Sequence, residues 1–371
     1  MSKQIKKATT KALLGSLAAA FITSLSTLSS AQSVLPGKIH VGLIYPISSN
    51  GITAPLDTNN ISINLLAGVS GAERGLAFAG LSNVVRHDAK GLQIAGFSNH
   101  INKDVEGALF AGFLNTYGGG KGPAFAGFAN IARKDLEGAQ FAGFINVAEN
   151  LDGAQFAGFA NVAGKRTTQS QFAGFMNVAK DIKGSQFAGF INIARKVQGA
   201  QIAGFINIAE RSDYPIGIVN IIKYGEKSIG VTYDDAQTAI LALRSGGRVL
   251  YGIIGGGYNF KNTDEKYAFE AGFGAHVINT NIFRLNFEAT ASALESFHEG
   301  EFFKASGKLM PAIKITPWFE IFGGPTFNFI STNTEEGRNH KDKYLRQWEP
   351  KYGDDFQALY IGYQTGVSVV F

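Results

Sequence analysis

From Gly75 to about Asn220 the chain repeats itself, and its clearest copies read GAQFAGFINVAENLD (Gly138 to Asp152) and GSQFAGFINIARKVQ (Gly184 to Gln198). Within a copy the side chains alternate with period two, the pattern of a strand and not of a helix. Phe141, Gly143, Ile145 and Val147 fall on one side, and Gln140, Ala142, Phe144, Asn146 and Ala148 on the other. The glycine of the Ala-Gly-Phe core recurs at Gly80, Gly96, Gly112, Gly127, Gly143, Gly158, Gly174, Gly189 and Gly204, with a degenerate copy at Gly217. Three residues after every one of these glycines stands an asparagine, from Asn83 to Asn220. Three residues before, a glutamine recurs at Gln93, Gln140, Gln155, Gln171, Gln186 and Gln201, while Leu109 and Ala124 replace it elsewhere. An apolar residue returns seven positions before the marker, as Val105, Leu136, Leu151, Ile182 and Val197, and charged turn-prone pairs such as Lys134-Asp135 lie between.

Two architectures satisfy this pattern. In a parallel solenoid each copy is one turn, Asn146 stacks between Asn130 and Asn161, and Ile145 and Val147 fill the core. In an antiparallel meander each copy is one strand, long enough to cross a membrane when tilted. Identical chemistry in every copy, linkers included, favours the solenoid, because alternate turns of a meander would face opposite sides of the membrane. The spacings from Gly96 onward, 16, 15, 16, 15, 16, 15 and 15, point instead to a two-strand alternation. The solenoid is the preferred reading and the meander stays open. The amide rows are read as amides pairing with amides rather than as a polar ligand groove, since buried polar groups need partners.

After Asn220 the repeat vanishes and longer alternating runs begin. Six are clear, and two weaker ones (Lys227 to Tyr233, Gln237 to Arg244) bring the strand count to about eight. Tyr267, Phe269, Ala271, Phe273, Ala275 and Val277 oppose Ala268, Glu270, Gly272, Gly274, His276 and Ile278; Phe283, Leu285, Phe287, Ala289 and Ala291 oppose Arg284, Asn286, Glu288, Thr290 and Ser292. Aromatics on one face with charges and glycines on the other suit a lipid-facing exterior and a polar lumen, the reverse of a soluble sandwich. Lys304, Lys308 and Lys314 share the inner register, so Glu270, Glu288 and Glu320 are expected to pair with Arg284, Lys304 and Lys308. Pro311 removes a ladder donor and predicts a bulge. The polar run Ser331 to Asp355 reads as a solvated loop. The fold class is therefore all-β: a β-repeat array over 75–226, preceded by lead-in strands over 32–74, and an up-and-down barrel over 227–371.

The N-terminus changes where this chain belongs. Lys3, Lys6, Lys7 and Lys11 precede an apolar run from Ala12 to Leu25 and small residues ending at Ala31, the layout of a cleaved secretory signal over 1–31. Removing its four lysines leaves +1 of the formal +5, so the basic balance points to no nucleic acid. With no cysteine there is no disulfide, thiol chemistry or lipidated cysteine. No later segment approaches 18 uninterrupted apolar residues, which leaves a closed barrel as the spanning device. The six histidines, His40, His87, His100, His276, His298 and His340, are scattered, and Gly252 to Gly257 lies in a strand rather than opening a helix. No catalytic, cofactor or metal residue is named on this basis.

The repeat GxQxAGFxN, the lead-in NNISINLLAGVSG (Asn59 to Gly71) and the run from Ile216 to Phe260 into a barrel resemble bacterial surface-repeat proteins of the outer envelope. The last strand, with Ile361, Tyr363, Thr365, Val367, Val369 and Phe371 on one face, is similar to the terminal signature that outer-membrane proteins present to the barrel-assembly machinery. The resemblance implies an outer-membrane location and adds no activity or ligand. The expected function is a non-enzymatic, outer-membrane-anchored protein with a structural or surface-interaction role, in contact with outer-membrane lipid and an unidentified surface ligand. The alternative is a solute channel, in which repeats and C-terminal strands close one large barrel.

Overall fold

The computed structural model describes residues 38–262, 265–297, 301–341, 343–350 and 355–371. The N-terminal segment 1–31 and His298 lie outside the described residues. The repeats form a parallel β-solenoid of about 11 turns over residues 58–222. Three short strands make a turn, such as Leu136–Glu137, Gln140–Ala142 and Ile145–Ala148. Each pairs in parallel with its counterparts above and below, so Asn146 lies between Asn130 and Asn161 and Gln140 between Ala124 and Gln155. The stack begins early, because Ile39–Ile44 already runs parallel to Thr58–Ser70. No antiparallel meander is formed by the repeats: like stacks on like, linkers included.

The expected two-sided alternation holds only as far as Ala142. The chain bends at Gly143 and Phe144, between two strands, so Phe144 turns outward instead of sharing the face of Asn146. A Cβ on Gly143 would lie 2.1 Å from the carbonyl oxygen of Gly127 in the turn before, so the corner can be this tight only with glycine. Ile145 and Val147 consequently lie on the outer side and do not fill the core. The interior holds Gln140, Asn146, Ala148 and Leu151.

Two rows of amides in that interior pair along the axis. Ten asparagines form one chain of Nδ2–H···Oδ1 bonds from Asn83 to Asn220, each 2.8–3.1 Å. From Asn99 to Asn192 each Nδ2 also donates to a backbone carbonyl of the next turn, as Asn146 does to Phe156 at 2.7 Å. A second chain links Gln140, Gln155, Gln171, Gln186 and Gln201 at 2.7–3.1 Å. Where glutamine gives way to Leu109 and Ala124, the core is refilled by Tyr117, whose hydroxyl accepts from Gln140 Nε2 at 2.9 Å and caps the chain. Burial pushes the Tyr117 phenol well above its usual pKa. It remains a neutral cap.

Eight antiparallel strands follow and close on themselves: β1 (Lys227–Asp234), β2 (Thr238–Gly246), β3 (Leu250–Asn259), β4 (Tyr267–Asn279), β5 (Phe283–Glu295), β6 (Phe302–Thr316), β7 (Phe319–Thr332) and β8 (Phe356–Val370). The closing pair is β1–β8, from Ser228 opposite Val370 to Asp234 opposite Gln364. The lumen is filled by ion pairs that span it. Arg244 Nε donates to Glu288 Oε1 at 2.8 Å, Lys308 Nζ to Glu270 Oε2 at 2.5 Å, and Lys304 Nζ to Asp234 Oδ2 at 2.7 Å. Arg284 lies 3.4 Å from Glu320 and also holds Glu226 by two bonds, at 2.5 and 3.0 Å. Of the expected partners, Glu270 with Lys308 and Glu320 with Arg284 meet; Glu288 takes Arg244 and Lys304 takes Asp234, because those charges face one another across the lumen rather than along neighbouring strands.

Three local expectations are corrected. Pro311 causes no register shift: it stays opposite Leu285, and the ladder to β7 is interrupted between Lys308 and Ala312 instead, where Gly324 lies close to the proline ring. A facing strand that gives up its bonds accommodates the missing N–H without an extra residue. Register shifts occur in β4, between His276 and Ile278, which turns Ile278 outward, and in the β6–β7 ladder between Lys314 and Thr316. The segment from Ser331 to Asp355 is not simply solvated. His340 inserts between Phe302 and Tyr360, the Tyr344 hydroxyl donates to the Arg338 carbonyl, and Lys341 pairs with Asp235, so these residues cover the long-loop end of the barrel.

Burial first, and then the nearby Lys304, hold His340 down at a pKa of about 3 against its ordinary 6.5. A depressed histidine supports the fold fully above its unfolded value and loses that support as the pH falls from 6.5 toward 3. Amide exchange in 333–341 is therefore expected to be faster at pH 4 than at pH 7.5 after correction for intrinsic rates. His340→Phe is expected to remove the difference. Equal corrected exchange at both pH values in the wild type would exclude the histidine as the acid-sensitive element.

Candidate functional site

Phenylalanines that a water-soluble fold would bury stand outside the solenoid in two files. The first, Phe110, Phe125, Phe141, Phe156, Phe172 and Phe187, precedes the corner, and its rings stack nearly parallel at 4.8–4.9 Å. The second follows the corner, one ring per turn from Phe97 to Phe205, at 4.7–5.4 Å. Isolated aromatic pairs prefer offset or edge contacts, so face-to-face stacking is imposed here by the strand spacing. Phe156 remains 36% exposed and Phe144 40%. With the amides taking the interior, the aromatic half of each repeat is left on the surface.

An open groove of about 930 Å³ runs along the first file, from Ala95 to Ile202. Its wall is the phenylalanine file, and its floor is made by the alanines and glycines of the corner, such as Ala126, Gly127, Ala142 and Ala157. The floor is low for the reason the corner exists at all. Alanine and glycine let adjacent turns approach, and a larger residue there would fill the groove. Every lining residue is apolar, and the backbone of the floor is engaged between turns, as in Gly143 N–H to the Ala126 carbonyl. A contiguous apolar surface of this kind marks a place of contact with an apolar partner.

No known protein-family model, curated protein or solved structure matches this chain. The site is therefore read from its own geometry.

The groove ends at the barrel. One turn past Ile202 lies Ile216, and the next backbone groups, Gly217 and Ile218, press against Gly252 on the outer face of β3, where an added Cβ would lie 2.1 Å from the Gly217 oxygen. Asn220, last of the asparagine chain, receives its cap from β2: its backbone N–H donates to Ser245 Oγ at 3.0 Å and its Nδ2 to the Ser245 carbonyl at 3.1 Å. Glu226, in the short link to β1, reaches into the barrel mouth and holds Arg284. These contacts fix the solenoid's last turn against the outer wall of β2 and β3. Beyond Gly252 that wall continues outward-facing with Leu241 and Ile254.

Within the barrel His276 and Ser292 do not meet. His276 Nδ1 bonds Asn286 Oδ1 at 2.7 Å, while Ser292 donates to Glu270 in a different cluster. Gly252 to Gly257 lies within β3, as a strand. The sequence reading missed the groove because it placed Phe141 and Phe144 on opposite sides of one flat strand. The available signal was a bulky aromatic on each side of an Ala-Gly pair in copy after copy, a spacing that a single flat strand has no reason to keep.

Proposed function

We propose that the barrel is an outer-membrane anchor with a sealed lumen, and that the solenoid is a non-enzymatic binding module held against it. The observation that carries this is the inversion of the barrel: Phe269, Phe273, Phe287, Phe327, Ile361 and Tyr363 face outward while Arg244, Glu270, Glu288 and Lys308 are buried within. A charge on the lipid side costs about 2–4 kcal/mol at mid-membrane, so such a wall suits lipid and such a lumen does not. The chain is taken, as its repeat suggests, as one of the outer-envelope surface-repeat proteins. Phe371, 64% exposed at the end of β8, is the residue we assign to recognition by the barrel-assembly machinery. The repeats contribute no strand to the barrel, and eight strands are just filled by their own side chains, so the large-barrel channel has no support.

Sidedness follows from loop length. The turns at 247–249, 280–282 and 317–318 share the barrel end that carries the solenoid and Phe371, while the long connections from β3 to β4 and from β7 to β8 leave from the other. Short turns face the periplasm in outer-membrane barrels. The solenoid accordingly belongs on the periplasmic side, and the surface-interaction role becomes a periplasmic one. The protein is expected to fractionate with the outer membrane, to shift in gel mobility only on boiling, and to leave a planar bilayer electrically silent. Replacing Phe371 by Asp should reduce the folded, heat-shifting form far more than Ser368→Asn. Recovery as a soluble protein with no mobility shift would refute the anchor.

A further inference from the structure

The geometry points to a lipid track: we propose that the groove holds acyl chains of a phospholipid drawn from the leaflet around the barrel. The inference rests on the reading of the barrel as a membrane anchor.

Four observations select this occupant. The side chains lining the groove are all apolar, and the glycine N–H groups of its floor are engaged between turns. A peptide laid in it would meet no polar side chain to pair with its own N–H and C=O groups, whereas an alkyl chain has none to satisfy. Its length from the Ala95 turn to the Ile202 turn is about 34 Å at a strand spacing of about 4.8 Å, roughly twice the 15 Å or so of one leaflet's hydrocarbon. An acyl chain lies lengthwise in it with room to slide. Above all, the groove does not end in water. One turn beyond Ile202, Gly217 and Ile218 abut Gly252, and Leu241 and Ile254 continue the outward-facing wall of the barrel, so an apolar path leads from the leaflet onto the solenoid.

The phenylalanine file and the alanine-glycine corner then have a joint purpose that neither has alone. The stacked rings form a smooth wall without gaps between turns, because their spacing equals the strand spacing. The small floor residues keep the bed open along its length.

The test uses the full chain in a nanodisc whose phospholipids carry bromine on the acyl chains, a contact quencher of tryptophan. Trp348→Phe removes the tryptophan at the loop end, and Trp318, at the short-turn end of β7, reports whether the barrel is embedded. Phe156→Trp adds a reporter four turns from the last, about 20 Å along the stack. Phe172→Trp is a second reporter should the first fail to fold. Both Trp318 and the added reporter are expected to lose most of their emission in brominated relative to ordinary lipid. Ala188→Leu, which fills the floor between reporter and barrel, is expected to restore the reporter's emission and leave Trp318 quenched. Quenching of Trp318 alone overturns the track and leaves the anchor standing; quenching of neither overturns both. Reporter quenching indifferent to Ala188→Leu means that the solenoid lies flat on the bilayer, and concentration-dependent self-association that shields the reporter means that a second copy covers the groove. Either result overturns the proposal.

Discussion

Replacing Asn161 by leucine is expected to open the middle of the solenoid. The Asn161 side chain accepts from Asn146 Nδ2 at 3.0 Å and donates to the Phe172 carbonyl at 2.7 Å and to Asn177 Oδ1 at 3.0 Å. Leucine matches the volume and supplies none of these bonds, so three groups on the two neighbouring turns lose a partner. Each such loss costs about 1–3 kcal/mol, and water cannot reach the site to replace it. A total of roughly 3–6 kcal/mol is expected. Asn177→Leu should cost nearly the same, because its bonds repeat those of Asn161 one turn later. The comparison variant is Lys165→Ala, which breaks an exposed pair with Glu149 and should change stability by less than about 1 kcal/mol. Amide exchange across 138–198 reads both. Protection in Asn161→Leu equal to that in Lys165→Ala would mean that the asparagine chain is incidental to the stack.

Glu288→Leu is expected to destabilise the barrel by about 3–5 kcal/mol, the usual consequence of leaving one member of a buried ion pair alone. Glu288 accepts two bonds from Arg244, at 2.8 and 3.3 Å, and one from the Tyr251 hydroxyl at 3.0 Å. Its removal strands a guanidinium and a phenol inside the closed lumen. Adding Arg244→Met removes the orphaned charge, and the double variant should regain much of the loss, since a packed apolar pair often equals a buried ionic one. The temperature at which the barrel loses its compact gel mobility reports the effect. An unchanged transition in Glu288→Leu would show that the lumen is wet enough to solvate Arg244. That result would also reopen the question of conduction.

The two predictions draw on different depths of legibility. Asn146 between Asn130 and Asn161 could be placed from the sequence, because in a parallel stack the position in the repeat is itself the spatial coordinate along the axis. The same logic made the outer and inner faces of β4 and β5 readable almost residue by residue. Period two is a property of the single strand, independent of its neighbours. The alternation of 15 and 16 residues misled toward a meander only because linkers of slightly different length can close the same turn.

What the periodicity could not carry is whatever depends on a contact between distant parts of the chain. The corner at Gly143 exists because Gly127 passes 16 residues earlier at a distance no Cβ would permit, and it turns Phe144 away from the face of Asn146. Tyr117 fills the space that Ala124 and Leu109 leave in the amide row, a compensation between two different positions of the repeat. Arg244 finds Glu288 rather than any neighbour on its own strand because closure of the barrel brings β2 opposite β5. Composition and alternation along one chain determine which residues face in and which face out. Only the closed tertiary structure decides which of the inward residues meet, and that a row of outward phenylalanines becomes a groove ending on the barrel wall at Gly252.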